Sequence, residues 1–173
     1  PMPQPRKQAP VVIAIDGTSA SGKSTNSRLV AQALGFIHVD TGAMYRTLAW
    51  YCLRHQIDVR NARAIAAACR RWKATLQCAD GQVYLAVDGY YPATEIRSLE
   101  VSAVVSHVAA VPKVREWMKK KQRECLQFGN LVMEGRDIVI FRVDQRLPVD
   151  RHISPLVRDL DRSDVLVDPF HIF

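Results

Sequence analysis

Two rhythms of apolar residues run along this chain. Residues 11–15, Val11-Val12-Ile13-Ala14-Ile15, form a continuous apolar run of strand length, and residues 25–34 carry the spacing of an amphipathic helix. Gly35 supplies a helix stop, and residues 36–39 read as a second strand. Asp40 or Thr41 caps the next helix, which runs to about His55. Residues 61–72 make an alanine-rich helix packed through Ala62, Ile65, Ala66 and Cys69. Residues 75–78 and 83–87 alternate around Asp80-Gly81, the pattern of a β-hairpin, which is expected in a small insert outside the main sheet. Asp88-Gly89 turns the chain and Pro92 keeps it irregular. Residues 95–110 read as one helix with Leu99, Val101, Val104, Val105 and Val108 as its buried stripe. Pro112 opens another helix, carrying Arg115, Trp117 and Met118 and closing at Gly129. Residues 131–134 are a third buried strand with an acid, Glu134, at the end.

Composition changes this picture little. The 173 residues suffice for one domain with a real core, and 48% hydrophobic with 24% charged content is ordinary for a globular chain. The net charge of +7 favours anionic partners without choosing among nucleotides, nucleic acid and acidic surfaces. Lys119-Lys120-Lys121 reads as a solvated face, since a nucleic-acid patch would interleave aromatics for base stacking. Cys52, Cys69, Cys78 and Cys125 show no C-x-x-C and no zinc spacing, so they are expected to be buried thiols in a reducing compartment. No apolar run approaches membrane-spanning length. Residues 1–10 are basic with no long apolar region behind them, a flexible leader, and a cytoplasmic location is expected.

Candidate chemistry begins where the first strand meets the first helix. Gly17-Thr18-Ser19-Ala20-Ser21-Gly22-Lys23-Ser24-Thr25 fits the G-x-x-x-x-G-K-[ST] phosphate-binding pattern in its required context. Glycines there let the backbone approach a ligand, and successive amides form an anion nest at the positive end of the helix. Lys23 would reach the β- and γ-phosphates of a nucleotide, and the Ser24 hydroxyl would ligate Mg²⁺. Arg46 falls one turn into a helix that starts at the C-terminal edge of a strand, where open α/β sheets bind ligands. Its guanidinium suits a second phosphate bidentately. Glu134 stands where an acid could act through Mg²⁺ or its bound water, and Arg136 and Asp137 follow directly.

Together these motifs resemble the bacterial cytidylate kinases. The resemblance rests on residues 15–25, on Asp40-Thr41-Gly42-Ala43-Met44-Tyr45-Arg46, on Glu95-Ile96-Arg97 with Val101-Ser102, on residues 105–115 and on Glu134-Gly135-Arg136-Asp137-Ile138. It implies an α/β, three-layer P-loop kinase fold with a parallel sheet core. A small inserted domain at about residues 60–112 would bind the nucleoside monophosphate and contain the hairpin, all within one kinase domain over 11–173. By that resemblance residues 17–25 hold ATP, Arg46 and Arg136 clamp the CMP phosphate, and Thr41 and Tyr45 line the acceptor pocket. Ser106, Arg115 and Asp137 would read cytosine, and Arg151, before Ser154-Pro155-Leu156, would approach the substrate. The implied partners are ATP with Mg²⁺ and CMP or dCMP, with no nucleic acid and no membrane, the chain acting as a monomer.

Four departures from the family pattern stand out. Thr18 replaces a usual proline, and Glu134 a usual aspartate. After Ile138 the chain passes almost at once to residues 143–156, so a core strand and the arginine-rich lid are missing between about 138 and 145. Residues 163–168 resemble the family's last strand, and the chain stops before its final helix. Two alternatives remain open at this point: a nucleotide-binding protein without kinase activity, or a kinase of another nucleoside monophosphate.

Overall fold

The structure is a computed structural model that describes residues 10–16, 22–135 and 138. Among the described residues five strands form one sheet in the order β1-β5-β2-β4-β3, with β1 at Val12–Ile15, β2 at Ile37–Asp40, β3 at Ala74–Ala79, β4 at Gln82–Val87 and β5 at Leu131–Glu134. All neighbours are parallel except β3, which runs antiparallel to β4. This is the mixed α/β, mostly parallel architecture of a P-loop kinase, and the strand period of two sorts its two faces. Ile13, Ile15 and Val132 point toward helix α1 (Lys23–Leu34) and meet Val30, Ala31 and Phe36. Val39, Val83, Leu85, Leu131 and Met133 point the other way into the larger core. That core is roofed by α2 (Thr41–Arg54), α3 (Ala62–Arg71), α4 (Leu99–Ala109) and α5 (Pro112–Glu124).

Register places the chemistry. Ile15 and Asp40 are both the β partners of Glu134, so β1, β5 and β2 end in one row at the C-terminal edge of the sheet. At that row the chain passes directly from β2 into α2 at Asp40. Asp40 caps α2 by accepting the Ala43 amide at 2.8 Å.

Several sequence expectations need correction. The β3-β4 hairpin forms around Asp80 and Gly81, whose φ values of 51° and 71° make the two-residue turn that matches strand twist. It does not lie outside the main sheet: β4 pairs with β2 through His38↔Gln82 and Val39↔Val83. Valines at 83 and 87 with Leu85 leave β4 an apolar face that must be buried, and the edge of β2 was open to it. Residues 95–110 are not one helix. Glu95–Arg97 form a 3-10 turn, and Ser98, extended at ψ 158°, caps α4 by accepting the Val101 amide. Leu99 is therefore 89% exposed, because two residues before Val101 lies about 200° around the helix from the buried stripe. Helix α5 likewise gives way to a 3-10 turn, Cys125–Phe128, before Gly129. Cys52, Cys69 and Cys125 are buried as expected, but Cys78 is exposed on β3. Lys119 and Lys120 are solvated, whereas Lys121 pairs with Glu124 at 2.6 Å and lies over the Trp117 ring at 5.3 Å.

Candidate active site

Gly22, in the left-handed conformation at φ 76°, is the N-cap of α1, and it contributes no side-chain cap. The first amides of a helix have no intrahelical acceptor, so such an end presents donors and positive potential to an anion. Lys23 and Ser24 open this helix. The Ser24 hydroxyl donates to Glu134 Oε2 at 2.8 Å, joining the helix start to the end of β5. The other carboxylate oxygen, Oε1, lies 3.2 Å from His38 Nε2, which is 3.0 Å from Ser27 Oγ. Ser27 in turn donates to the Ser24 carbonyl at 3.1 Å. His38 and Glu134 are 3% and 1% exposed, so this is a buried polar network whose members depend on one another. Burial alone would push the Glu134 carboxyl up. The bonds from His38 and Ser24, with the charges of His38 and Lys23, outweigh it and hold the group below its ordinary value.

One strand over, Arg46 Nη2 pairs with Asp40 Oδ2 at 3.0 Å, and Asp40 is simultaneously the cap of α2. Arg46 Nε is buried with no hydrogen-bond partner among the described residues. Thr41 is fully buried and donates to the Glu134 carbonyl at 2.9 Å. Immediately after Glu134, Gly135 sits at φ 142°, and a Cβ there would fall 1.8 Å from Thr41 Oγ1. Tyr45 is buried on α2. Ser106 stands exposed on α4 and Arg115 half-buried on α5. Gly17, Thr18, Ser19, Ala20, Ser21, Arg136, Asp137 and Arg151 lie outside the described residues.

The structure thus brings Ser24, Glu134, Asp40 and Arg46 into one continuous run. His38, left as structural by the sequence, and Ser27 join it. Alternation was the available signal, since His38 is two residues before Asp40 on the same face of β2, and Ser27 is one turn after Ser24 on α1.

A mostly parallel sheet with a glycine-capped helix following its first strand, and acids at the neighbouring strand ends, is the architecture of the P-loop kinase fold. The cytidylate kinase family model matches residues 13–144, and the chain belongs to the cytidylate kinase family. The cytidylate kinase of Symbiobacterium thermophilum is 46% identical over 129 residues, covering 74% of this chain and 57% of its own length. That of Cytophaga hutchinsonii is 39% identical over 132 residues, 74% of this chain and 56% of its own. That of Pelotomaculum thermopropionicum is 42% identical over 156 residues, 89% of this chain and 69% of its own. The chain therefore spans little more than half the length of the first two curated relatives. No helix among the described residues is long and apolar enough to cross a membrane.

Proposed function

We propose that this chain carries ATP-dependent phosphorylation of CMP, and of dCMP, to the diphosphate, as a cytoplasmic monomer. The reaction is in-line transfer of the γ-phosphoryl group to an oxygen of the acceptor phosphate, giving ADP and CDP. Residues 17–25 hold ATP, with Lys23 on the β- and γ-phosphates. The Ser24 hydroxyl and the adjacent Glu134 carboxylate are hard oxygen donors whose chemistry fits Mg²⁺. When bound, that ion neutralises charge on the phosphate oxygens. Arg46 and Arg136 clamp the acceptor phosphate, Arg151 approaches the substrate, and Thr41 and Tyr45 line the acceptor pocket from α2. Residues 60–112 form the acceptor-side insert. Ser106, Arg115 and Asp137 read cytosine, whose exocyclic amine a carboxylate accepts and whose ring acceptors Arg and Ser satisfy. A site of buried polar pairs rejects bases that leave its groups unpaired. No general base is needed, because the nucleophile is already an anion, so positioning and charge neutralisation carry the catalysis.

The observation that supports this reading best is the run from Ser24 through Glu134 and its register partner Asp40 to Arg46. It supports the reading because Ser24, at the start of α1, and Arg46, on α2, reach the neighbouring ends of β5 and β2. The test is ADP release by the purified chain across CMP, dCMP, UMP, AMP and GMP. CMP-dependent release is expected, with Lys23→Ala slower by at least about a hundredfold and Asp137→Ala losing the CMP preference over UMP. ATP binding without acceptor-dependent release would make the chain a nucleotide-binding protein that transfers nothing.

A further inference from the structure

Helix α1 meets the sheet through an apolar patch, with Ile13, Ile15 and Val132 against Val30, Ala31 and Phe36. His38 and Glu134 lie on that same face of the sheet. Register sets them diagonally across β2 and β5, since His38 pairs with Val132 and Glu134 with Asp40. With Ser27 of α1 they are buried, so the seam between helix and sheet holds a polar cluster beside its apolar one.

Proton accounting fixes the direction of each bond. The Ser27 hydroxyl has one proton and gives it to the Ser24 carbonyl at 3.1 Å, so toward His38 it can only accept. Glu134 accepts as well, because burial, which favours its neutral form, is outweighed by the bonds from His38 and Ser24. Nε2 of His38 therefore carries a proton and shares it between Ser27 Oγ at 3.0 Å and Glu134 Oε1 at 3.2 Å. Nδ1 has no partner among the described residues. The edge of the ring that bonds is the one that faces the carboxylate.

A glutamate side chain turns about three bonds, and its entropy favours many placements of the carboxylate. Here each oxygen is held, Oε1 by His38 and Oε2 by the Ser24 hydroxyl at 2.8 Å, which leaves one placement beside the start of α1. An apolar residue at position 38 would close α1 on the sheet with no polar group to desolvate, but it would leave Oε1 without that partner.

We propose that His38 is a positioning residue for the metal–nucleotide end of the site: its Nε2 proton, braced by Ser27, fixes the Glu134 carboxylate beside the Ser24 hydroxyl in the placement that takes a divalent cation carried by a nucleoside triphosphate. The inference rests on the kinase reading above, and adds to it one residue of β2 and one of α1 that act through Glu134.

Calorimetric titration of the full chain with ATP, once with saturating Mg²⁺ and once with a chelator, measures how far the metal strengthens nucleotide binding. His38→Leu, close in size and without a donor, should cut that strengthening about tenfold or more, the usual cost of losing a partner of a metal-binding group, and leave metal-free ATP binding unchanged. His38→Gln, whose amide nitrogen reaches the place of Nε2, should restore most of it. Equal strengthening in the parent and His38→Leu overturns the proposal. So does a parallel loss of ATP with and without metal, which would make His38 a packing residue, and so does a His38→Gln no better than His38→Leu. If circular dichroism shows His38→Leu unfolded, His38→Asn replaces it with the same expectation, its amide too short to reach Oε1. CMP-dependent ADP release by the parent is measured alongside. A parent whose ATP binding responds to Mg²⁺ but which transfers nothing to CMP removes the kinase reading, and the variants still decide this one. A parent whose ATP binding ignores Mg²⁺ while CMP is phosphorylated removes only this one.

Discussion

Glu134 is held by neighbours that leave it little freedom. Ser24 and His38 take its two carboxylate oxygens, and its carbonyl accepts from Thr41. The close approach of Thr41 is possible only because the next residue is glycine. At φ 142° an L side chain is strained whatever the space, and a Cβ at Gly135 would overlap Thr41 Oγ1. Thr41 is β-branched and buried, so it cannot swing aside without losing its bond. Gly135→Ala should therefore cost about 3 kcal/mol, from backbone strain together with overpacking. Chemical denaturation checks the value, and a double-mutant cycle checks the cause. Combined with Thr41→Ala, which deletes the clashing oxygen, the loss should be smaller than the sum of the single losses. Strict additivity would show that the clash is not the source. At this scale the residue types at the site were legible, since a phosphate motif, an arginine at a strand-to-helix junction and an acid at a strand end each carry a local signal. The contact of Ser24 with Glu134, 110 positions apart, carries none.

Elements respond to their ends as much as to their periodicity. The break between the 3-10 turn and α4 is made by Ser98, whose hydroxyl takes the Val101 amide, and it decides that Leu99 faces water. Ser98→Ala should cost about 1 kcal/mol in thermal or chemical unfolding, the usual value of an N-cap. Leu99→Ser should cost no more than about 0.5 kcal/mol, as at other exposed positions. The reverse order, with Leu99 the costly site, would restore a continuous helix whose stripe begins at Leu99. The cap was readable, because a serine precedes the apolar stripe by three residues. The apolar stripe drew attention first, and it includes Leu99 only if the turn is ignored. The hairpin shows the same division. Asp80-Gly81 specifies the turn through positive φ, but nothing local says which open strand edge will receive β4.

At the scale of the molecule, the described residues make two cores on one sheet, and the thiols report on the larger one. Burial pushes Cys52 up to about 11, and Cys69 and Cys125 up to about 12, while Cys78 lies exposed on β3. A maleimide at neutral pH should label the native chain once, at Cys78, and all four cysteines after denaturation, counted by intact mass. Rapid native labelling at two or more sites would mean that the helical roof opens. The raised values also set a direction with pH. The unfolded thiols ionise near about pH 8.5 while the folded ones keep their protons, so their contribution is whole below that and declines toward 11–12 as pH rises. What could be read from the order of residues alone was set mostly within one turn or strand: the phosphate-loop motif, the Asp40 cap, the hairpin turn, the alternation of strands with helices and, through its motifs, the family. What needed the folded chain was everything set between segments: β4 docking on β2, the row of Ile15, Glu134 and Asp40, and the contact of Ser24 with Glu134. The reason is physical. Short-range preferences are fixed by neighbours along the backbone, whereas a register or a charge cluster is chosen by the burial of whole faces, which no single segment can express.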